Sequence, residues 1–504
     1  MSAIQTRNNR VVSREDIPLL PIDQFCAFLT DQSNHGKRPV MFFGLPFEDR
    51  TTDEVIVYSI MAHDESSSLS ITSCLMKRGE SYPSLTQQFP AFHIFERELF
   101  EQFGITPALH PWLKPVRFDY RRLDESSNII NYPFFHMEGE ELHEVAVGPV
   151  HAGIIEPGHF RFMCHGERVH HLEIQLGYQH RGVESLFEFN GKKGRRQIPI
   201  QLAESIAGDS VIAHASACAQ AIESLSHCDI PLRAAAIRGI ALELERIGIH
   251  IGDLGAIAND IAYLTGNAVF GATRTLVINT SLAICGSRFG RGWIRFGGVP
   301  FDIDESLRSR IRATLEKVEH DVVLMGETMF SSPNVLTRLE KTGILEHQKA
   351  KDIGMVGMAA RASGVQLDVR SDHSYGIYKN FPIYKITLES GDVFARAYIR
   401  YIEIRKSIAF IYELLDNLPQ GNTMKPIEMS LAPNSMTISM VEGWRGETVH
   451  ALITDKEGNI ARYKIKDPSF HNWFGLALAV RENGVSDFPL VNKSFNLSYC
   501  GNDL

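Results

Sequence analysis

What this sequence has little of narrows it first. Its seven cysteines are scattered: Cys26, Cys74, Cys164, Cys218, Cys228, Cys285 and Cys500. No two have C-x-x-C spacing, and the count is odd. That suits buried thiols in a reducing compartment and argues against a disulfide framework. An iron–sulfur cluster normally takes four thiolates, so none is expected in this chain. Long apolar runs are missing too. No window offers about 18 uninterrupted apolar residues, so no membrane span is read. The polar start, residues 1–10, has no apolar secretory core. Positive charge is in deficit: 51 Lys and Arg face 60 Asp and Glu, a net charge of −9. That weighs against nucleic acid and against direct binding to an anionic membrane surface. Gly148–Gly153 lacks the G-x-G-x-x-G spacing and leads into no helix, so no dinucleotide loop and no NADH binding are expected.

What is present is ordinary in bulk. At 504 residues the chain is too long for one core, and two domains are the natural division. Hydrophobic content of 44% and charge of 22% are those of a globular protein. Residues 1–20 read as a loose polar arm. A short helix is predicted over 21–35, then strands over 39–45, 55–62 and 68–76, bounded by turn residues. Phe92, Phe95, Leu99 and Phe103 are spaced 3, 4 and 4, one apolar helical face ended by Gly104. Residues 121–147 are polar and acidic and read as a linker. A second domain is expected from about Gly148. It opens with a hairpin-like alternation around Gly166, a strand-like run ending at 180–184, and a small-residue helix over about 203–227. The next helix starts near Pro231 and carries Ile237, Ile240, Leu244, Ile247, Ile251 and Leu254 as a core stripe. A further helix is predicted over 392–417. Strand-like runs follow at 436–440 and 447–454. The fold class is therefore α+β: a small N-terminal α/β sandwich-like domain over 21–120, then a mainly helical domain over 148–504 with a peripheral sheet.

Two stretches resemble known families. Glu96-Arg97-Glu98, Phe103-Gly104-Ile105 and His110-Pro111-x-Leu113 resemble the signature of the C-type subunit of respiratory complex I. Glu101 stands where that pattern has aspartate. The resemblance implies a structural peripheral domain without chemistry of its own. From Gly148-Pro149 onward the chain resembles the D-type subunit of complex I and the large subunits of membrane-bound nickel–iron hydrogenases. His180-Arg181-Gly182-x-Glu184, Leu242-Glu243-Leu244-Glu245-Arg246-Ile247, Arg295-Phe296-Gly297-Gly298-Val299 and Arg361-Ala362-Ser363-Gly364-Val365-x-x-Asp368-x-Arg370 carry it in order. The fused arrangement and Glu156–Arg161 lie closer to the hydrogenase of formate hydrogenlyase than to ordinary complex I.

The departures matter most. Nickel–iron hydrogenases hold their metals with thiolates from R-x-C-G-x-C and D-P-C-x-x-C, and soft thiolates have no good substitute there. The first motif falls on Ser205–Ser210, so Ala207 and Ser210 replace both cysteines, with Gly208 and Asp209 between them. The second falls on Asn496–Gly501, where Ser498 and Gly501 replace the other two and Cys500 sits one place out of register. One thiol cannot hold a dinuclear site, so no metal is expected. Asp209 and Ser210 could refill the pocket with hydrogen bonds. Complex I subunits also lack these cysteines and use the region for quinone. Of that site's donors His151 survives, the second histidine slot falls on Pro157 with His159 nearby, the tyrosine slot falls on Gly208, and the partner aspartate matches Asp260.

Glu184 matches a proton-relaying glutamate of the hydrogenases. A carboxyl in a low-dielectric pocket would have the raised pKa such a role needs; the alternative is an ion pair with Arg181 or another buried cation. His214 matches a hydrogenase histidine and reads equally as structural or functional. His159, His165, His170, His171 and His180 cluster in sequence, but His170 and His171 are adjacent on a predicted strand and face opposite sides, so they cannot share one zinc. The resemblance implies an iron–sulfur small subunit, a ferredoxin-like subunit and membrane ion-translocating subunits as partners. It places the chain in the cytoplasm, at the inner face of the membrane through those partners. A quinone-type acceptor, a different acceptor and a scaffold without redox chemistry all remain open.

Overall fold

Alternation of apolar residues decides how the first domain is built. In the computed structural model, which describes residues 2–47, 53–153, 155–191 and 198–504, short strands β1 (Ile4–Thr6), β2 (Val11–Ser13) and β3 (Leu19–Leu20) precede helix α1 (Ile22–Asn34). Strands β4 (Arg38–Pro46), β5 (Glu54–His63) and β6 (Ser68–Lys77) form an antiparallel sheet, with β1 and β3 on its β6 edge. Successive side chains on a strand point to opposite faces. Phe42, Val55 and Val57 therefore pack under α1 and helix α2 (His93–Phe103). Met41, Phe43, Ile56, Tyr58 and Ile60 face the other way and join the core of the second domain. The sheet is buried on both sides, which its near-continuous apolar strands reflect. Strands β7 (Ser81–Pro83) and β8 (Thr106–Ala108) form a small parallel pair.

The expected arm is not loose. Strand β1 pairs with β6 of the first sheet, and β2 pairs with β12 (Ser435–Glu442) of the second domain. Asn8, between them, is buried: its Nδ2 donates to the carbonyls of His373 and Met440, and its Oδ1 accepts the Met440 N–H at 2.8 Å. Asn8→Ala leaves those buried groups without partners. We expect it to cost about 2–3 kcal/mol, read as a lowered urea midpoint. The expected linker also ends early. Leu142–Val147 is strand β9, which pairs with β10 (His159–His165), itself hairpinned to β11 (Arg168–Gln175). The boundary at Gly148 therefore falls inside one sheet.

After β11 the chain does not continue as a strand. Gly177 and Gly182 take left-handed backbone, and helix α3 (Val183–Asn190) begins. The predicted helix over 203–227 is broken into α4 (Ile200–Glu204) and α5 (Val211–Leu225), with residues 205–210 as a bend. Helix α6 (Leu232–Asp260) carries the expected stripe at the centre of the core. It packs against α7 (Leu264–Cys285) and α13 (Val393–Asp416), and α8 (Glu305–Ser331) packs on α7. Helix α7 is long and apolar enough, by length and composition, to cross a membrane, yet Phe270, Thr273, Val277 and Thr280 on one face are buried. Four short helices, α9 to α12 (Pro333–Leu339, His347–Asp352, Gly357–Arg361 and Val369–Asp372), fill the path to α13. Strand β12, with β13 (Glu447–Thr454) and β14 (Ile460–Lys466), forms the second sheet, whose far edge is β2. Helices α14 (Ser469–Ala479), α15 (Phe488–Phe495) and α16 (Tyr499–Asp503) complete the chain. The architecture is α+β, as the patterning indicated.

Candidate functional site

The bend between α4 and α5 and the turn between α15 and α16 are brought together, and two arginines join them. Arg445, on the turn between β12 and β13, donates Nη2 to Asp209 Oδ2 at 2.7 Å and Nη1 to Asp209 Oδ1 at 3.0 Å. The same Nη1 reaches Ser210 Oγ at 3.1 Å, and Nε donates to the Asn496 carbonyl at 2.6 Å. Trp444 Nε1 donates to the Asp209 carbonyl, and its ring lies 4.0 Å from the guanidinium. Arg181 donates to the carbonyls of Ser205, Ile206 and Cys500. Burial works to lower the Arg445 pKa, but Asp209 outweighs it and the group stays charged. A bidentate guanidinium–carboxylate pair is among the strongest polar contacts a protein makes. This pair explains why the helix breaks: the side chains of Asp209 and Ser210 turn to Arg445 instead of continuing α5.

The opposite wall is equally closed. Ser498 Oγ accepts the Gly501 N–H and lies 3.5 Å from Cys500 Sγ. Glu156 Oε2 accepts the N–H groups of Tyr499 and Cys500 at 3.3 Å each. Burial, with Glu156 beside it, pushes the Cys500 thiol up to about 12. One thiol supplies at most one of the ligands a dinuclear site needs. The carboxylate of Asp467, just after β14, fills the space in front of Gly501: a Cβ there would lie 2.7 Å from Asp467 Oδ2 and 2.8 Å from Ser498 Oγ. The residues present therefore do not fit a nickel–iron pair. Hydroxyls, a single thiol and a guanidinium occupy the cradle, and a cysteine at position 501 would collide with Asp467. Among the described residues no group of three His, Cys, Asp or Glu could hold a metal ion. Gly501→Ala should cost about 1–3 kcal/mol through the same overlap, seen as a lowered thermal midpoint.

Next to Asp209 opens a narrow cleft between α5, α6, α7 and the loop before Trp293. Ile212, Leu244, Ile249, Ile278, Phe289 and Trp293 make its walls apolar. Glu245 lies on its floor, and its carboxyl accepts the Ile212 N–H at 2.7 Å and the Ala213 N–H at 3.3 Å, two donors that the start of α5 leaves free. Burial pushes this carboxyl up to about 8, against those two bonds, and the charge of Asp209 adds to the rise. An unfolded glutamate titrates near about 4.3. The folded state therefore binds the extra proton, and stability falls as pH rises from about 4.3 to about 8. Glu245→Gln should remove at least about 1 kcal/mol of that fall. Denaturant midpoints at about pH 5 and pH 8.5 would check it.

The other sequence candidates lie apart. Glu184, at the start of α3, is buried among cations: Lys464 Nζ at 2.9 Å and Arg462 Nη2 at 3.4 Å. Burial would raise its pKa, but Lys464, Arg462 and Arg117 outweigh it and hold the carboxyl well below the usual range. The expected raised pKa is reversed, and the ion pair is made with Lys464 and Arg462, not Arg181. Lys464 also donates to Glu98 of α2 at 2.6 Å, so Glu184 belongs to a charge ladder that joins the two domains. His159 donates Nδ1–H to the Gly148 carbonyl at 3.2 Å, and Phe134 packs on its ring. Asp260, the last residue of α6, is exposed and is not among its hydrogen-bond partners. His151 bonds instead to the Gly158 carbonyl at 2.8 Å. His214 is fully buried beside Asp467. Sequence reasoning missed Arg445 and Asp467. The one local signal for Arg445 was a lone cation in the glycine-bounded turn Gly443-Trp444-Arg445-Gly446.

This fold and cradle define a hydrogenase-type large-subunit scaffold fused to a complex I-type peripheral domain, with a guanidinium–carboxylate pair in the cradle. The pattern described as "Respiratory-chain NADH dehydrogenase, 30 Kd subunit" matches residues 21–125, and that of the "49 Kd subunit" matches residues 260–503. Hydrogenase-4 component G of Escherichia coli (strain K12) is 30% identical over 440 residues, covering 84% of this chain and 76% of that protein. Membrane-bound hydrogenase subunit alpha of Pyrococcus furiosus is 30% identical over 373 residues, 70% of this chain and 85% of that one. In fold the chain resembles one from an archaeal respiratory membrane complex, the membrane-bound sulfane sulfur reductase, with a TM-score of 0.67 at 22% identity over 73% of this chain and all of that one. The protein belongs to the family of complex I-like and membrane-bound hydrogenase large subunits.

Proposed function

We propose that this chain is the peripheral large subunit of a membrane-bound, complex I-like oxidoreductase assembly, and takes part in electron transfer coupled to ion translocation without a nickel–iron centre. The observation that carries the reading is the Arg445–Asp209 pair, which bridges both ends of the cradle on a hydrogenase-type scaffold. A pocket that had merely lost its ligands would have no reason to hold a bidentate ion pair. The cleft beside it suits the ring of a quinone-type acceptor in chemistry: its walls are apolar, and Glu245 and Asp209 supply convergent polar groups. Electrons would come from an iron–sulfur small subunit seated over the cradle and fed by a ferredoxin-like subunit. Membrane ion-translocating subunits would hold the chain at the cytoplasmic face.

The test is isolation of the native complex, identification of its subunits and elemental analysis, followed by Asp209→Asn and Glu245→Gln in that complex. Stoichiometric nickel in active complex would point instead to a hydrogenase with aberrant metal ligation. A monodisperse monomer with no cluster-bearing partner would sink the proposal. One observation favours a second reading, a non-catalytic energy-coupling scaffold: Glu184 is locked in an ion pair rather than poised to carry a proton. Turnover unchanged by Glu184, His159 and Asp260 substitutions, and also by Asp209→Asn, would select the scaffold.

A further inference from the structure

A buried chain of polar groups runs away from the cradle. Asp467 Oδ2 lies 3.0 Å from His214 Nε2. His214 Nδ1 lies 3.1 Å from His450 Nε2, and His450 Nδ1 lies 2.8 Å from the Tyr463 hydroxyl. The Tyr463 hydroxyl also lies beside the thiol of Cys218. His214 and Cys218 stand one turn apart on α5, His450 is on β13, and Tyr463 is on β14. All four are fully enclosed. The cradle is the nearer side to solvent: Asp467 lies against Gly501, and across the cradle the Asp209 side chain keeps 36% exposure.

The protons in this chain can be placed by elimination. Burial, and then the neighbouring His214, hold the His450 imidazole well below its usual pKa, so it is neutral and donates from one nitrogen only. Burial would raise the Asp467 pKa, but the hydrogen bond from His214, with Arg445 nearby and the Ser469 N–H donating at 2.8 Å, outweighs it and keeps the carboxylate ionised. An ionised carboxylate only accepts, so His214 must carry its proton on Nε2. Two patterns then satisfy every group. In the first, Tyr463 donates to His450 Nδ1, His450 Nε2–H donates to His214 Nδ1, and His214 is neutral. In the second, His214 is protonated on both nitrogens and donates Nδ1–H to His450 Nε2. His450 then carries its proton on Nδ1 and donates to Tyr463, whose hydroxyl turns to Cys218. The two patterns differ by one proton, and neither leaves a buried donor or acceptor unpaired. A hydroxyl at the blind end is what allows the reversal, since it both donates and accepts.

We propose that Asp467, His214, His450 and Tyr463 form a one-proton store for the former metal cradle, loaded when negative charge develops there. It rests on the reading that the cradle handles charge. His214 is the proton-carrying group, and His450 and Tyr463 are positioning residues. The charged and titratable groups around it are Asp467 after β14, Arg445 on the β12–β13 turn, His450 and Tyr463 on the sheet, Cys218 on α5, and Glu184 acting on His450. An anion or a reduced acceptor that draws on Arg445 leaves Asp467 less compensated, and the added proton on His214 restores the balance. Each loading takes one proton from the solvent side of the cradle. Among the described residues the chain ends at Tyr463 and the buried thiol of Cys218, so it stores a proton and does not conduct one.

Nitrogen-15 NMR of the full chain labelled at histidine, with His214→Gln and His450→Gln for assignment, tests this. As pH is lowered His214 should gain its second proton while the His450 proton moves from Nε2 to Nδ1 in the same transition. Tyr463→Phe should uncouple the two, leaving His214 titrating without the His450 reversal, and it deletes only a hydroxyl if a histidine variant fails to fold. Asp467→Asn should abolish loading. A His214 doubly protonated throughout, or a His450 tautomer that never changes, overturns the store. The measurement needs no turnover. A chain that fails it while turnover in the complex still responds to Asp209→Asn loses the store and keeps the proposed function; a chain that passes while turnover ignores Asp209→Asn keeps the store and loses the function.

Discussion

Arg445→Met is expected to destabilise the protein by about 3 kcal/mol and to open the cradle. Removing one member of a buried ion pair typically costs about 3–5 kcal/mol, because the partner is left uncompensated. The lower end applies, since Asp209 is more than one-third exposed and water screens it. Methionine keeps most of the buried volume, so packing loss is small, and what goes is charge and donors. Those donors serve Asp209, Ser210 and the Asn496 carbonyl, which lie on the two sides of the pocket. Proteolysis within 205–210 and 496–501 should therefore speed up together. The double variant Asp209→Asn/Arg445→Met should lose less than the sum of the singles, because the second change removes the orphaned charge. Urea midpoints of the four proteins decide it. A strictly additive pair would mean that the two side chains touch without mattering to each other.

Much of this fold was readable because its elements are long and regularly buried. The α6 stripe repeats over nearly five turns, and each of β4, β5 and β6 shows two apolar faces. Helix α8 carries the same signal: Ile311, Leu315, Val318, Val322, Met325 and Met329 keep the 4 and 3 spacing. Helix α7 was harder: small and polar residues such as Gly266, Thr273 and Thr280 pack against the core where a periodicity argument looks for bulk. Strands β1 and β2 have three residues each, too few for any period, and exist because other strands offer them an edge.

The site was legible by what it lacks and illegible in what replaced it. Motif register located Ala207, Ser210, Ser498 and Gly501. It said nothing of Arg445, which arrives from a hairpin more than 230 residues later, or of Asp467, which owes its place to the absence of a side chain at Gly501. Glu184 shows the same limit. Its burial was foreseeable, and burial alone raises a carboxyl pKa. The sign of the shift was set by Lys464 and Arg462, on a strand whose approach no local pattern encodes.

That ladder supports the second large expectation. Lys464→Met should cost about 3–5 kcal/mol, because Lys464 is almost wholly enclosed between Glu98 of the first domain and Glu184 of the second. Arg117 remains for Glu98 and Arg462 for Glu184, so the fold should survive at moderate temperature. The pH dependence should change sign. In the parent protein the Glu184 pKa is depressed, so its contribution is present above about pH 4.3 and lost as pH falls toward the folded value. In the variant the largest force holding that pKa down is gone, and burial raises it. Protonating Glu184 then relieves an unpaired charge, so the deficit should shrink as pH falls from about 8 to about 5. Lys464→Met/Glu184→Gln should recover part of the loss, whereas Lys464→Met/Glu98→Gln should recover a different part, because each carboxylate keeps its own arginine. Denaturant midpoints at the two pH values measure all three. A deficit that grows on acidification would mean that Arg462 alone sets the charge of Glu184, and that the two domains are joined by packing of the β4–β6 sheet and not by the ladder.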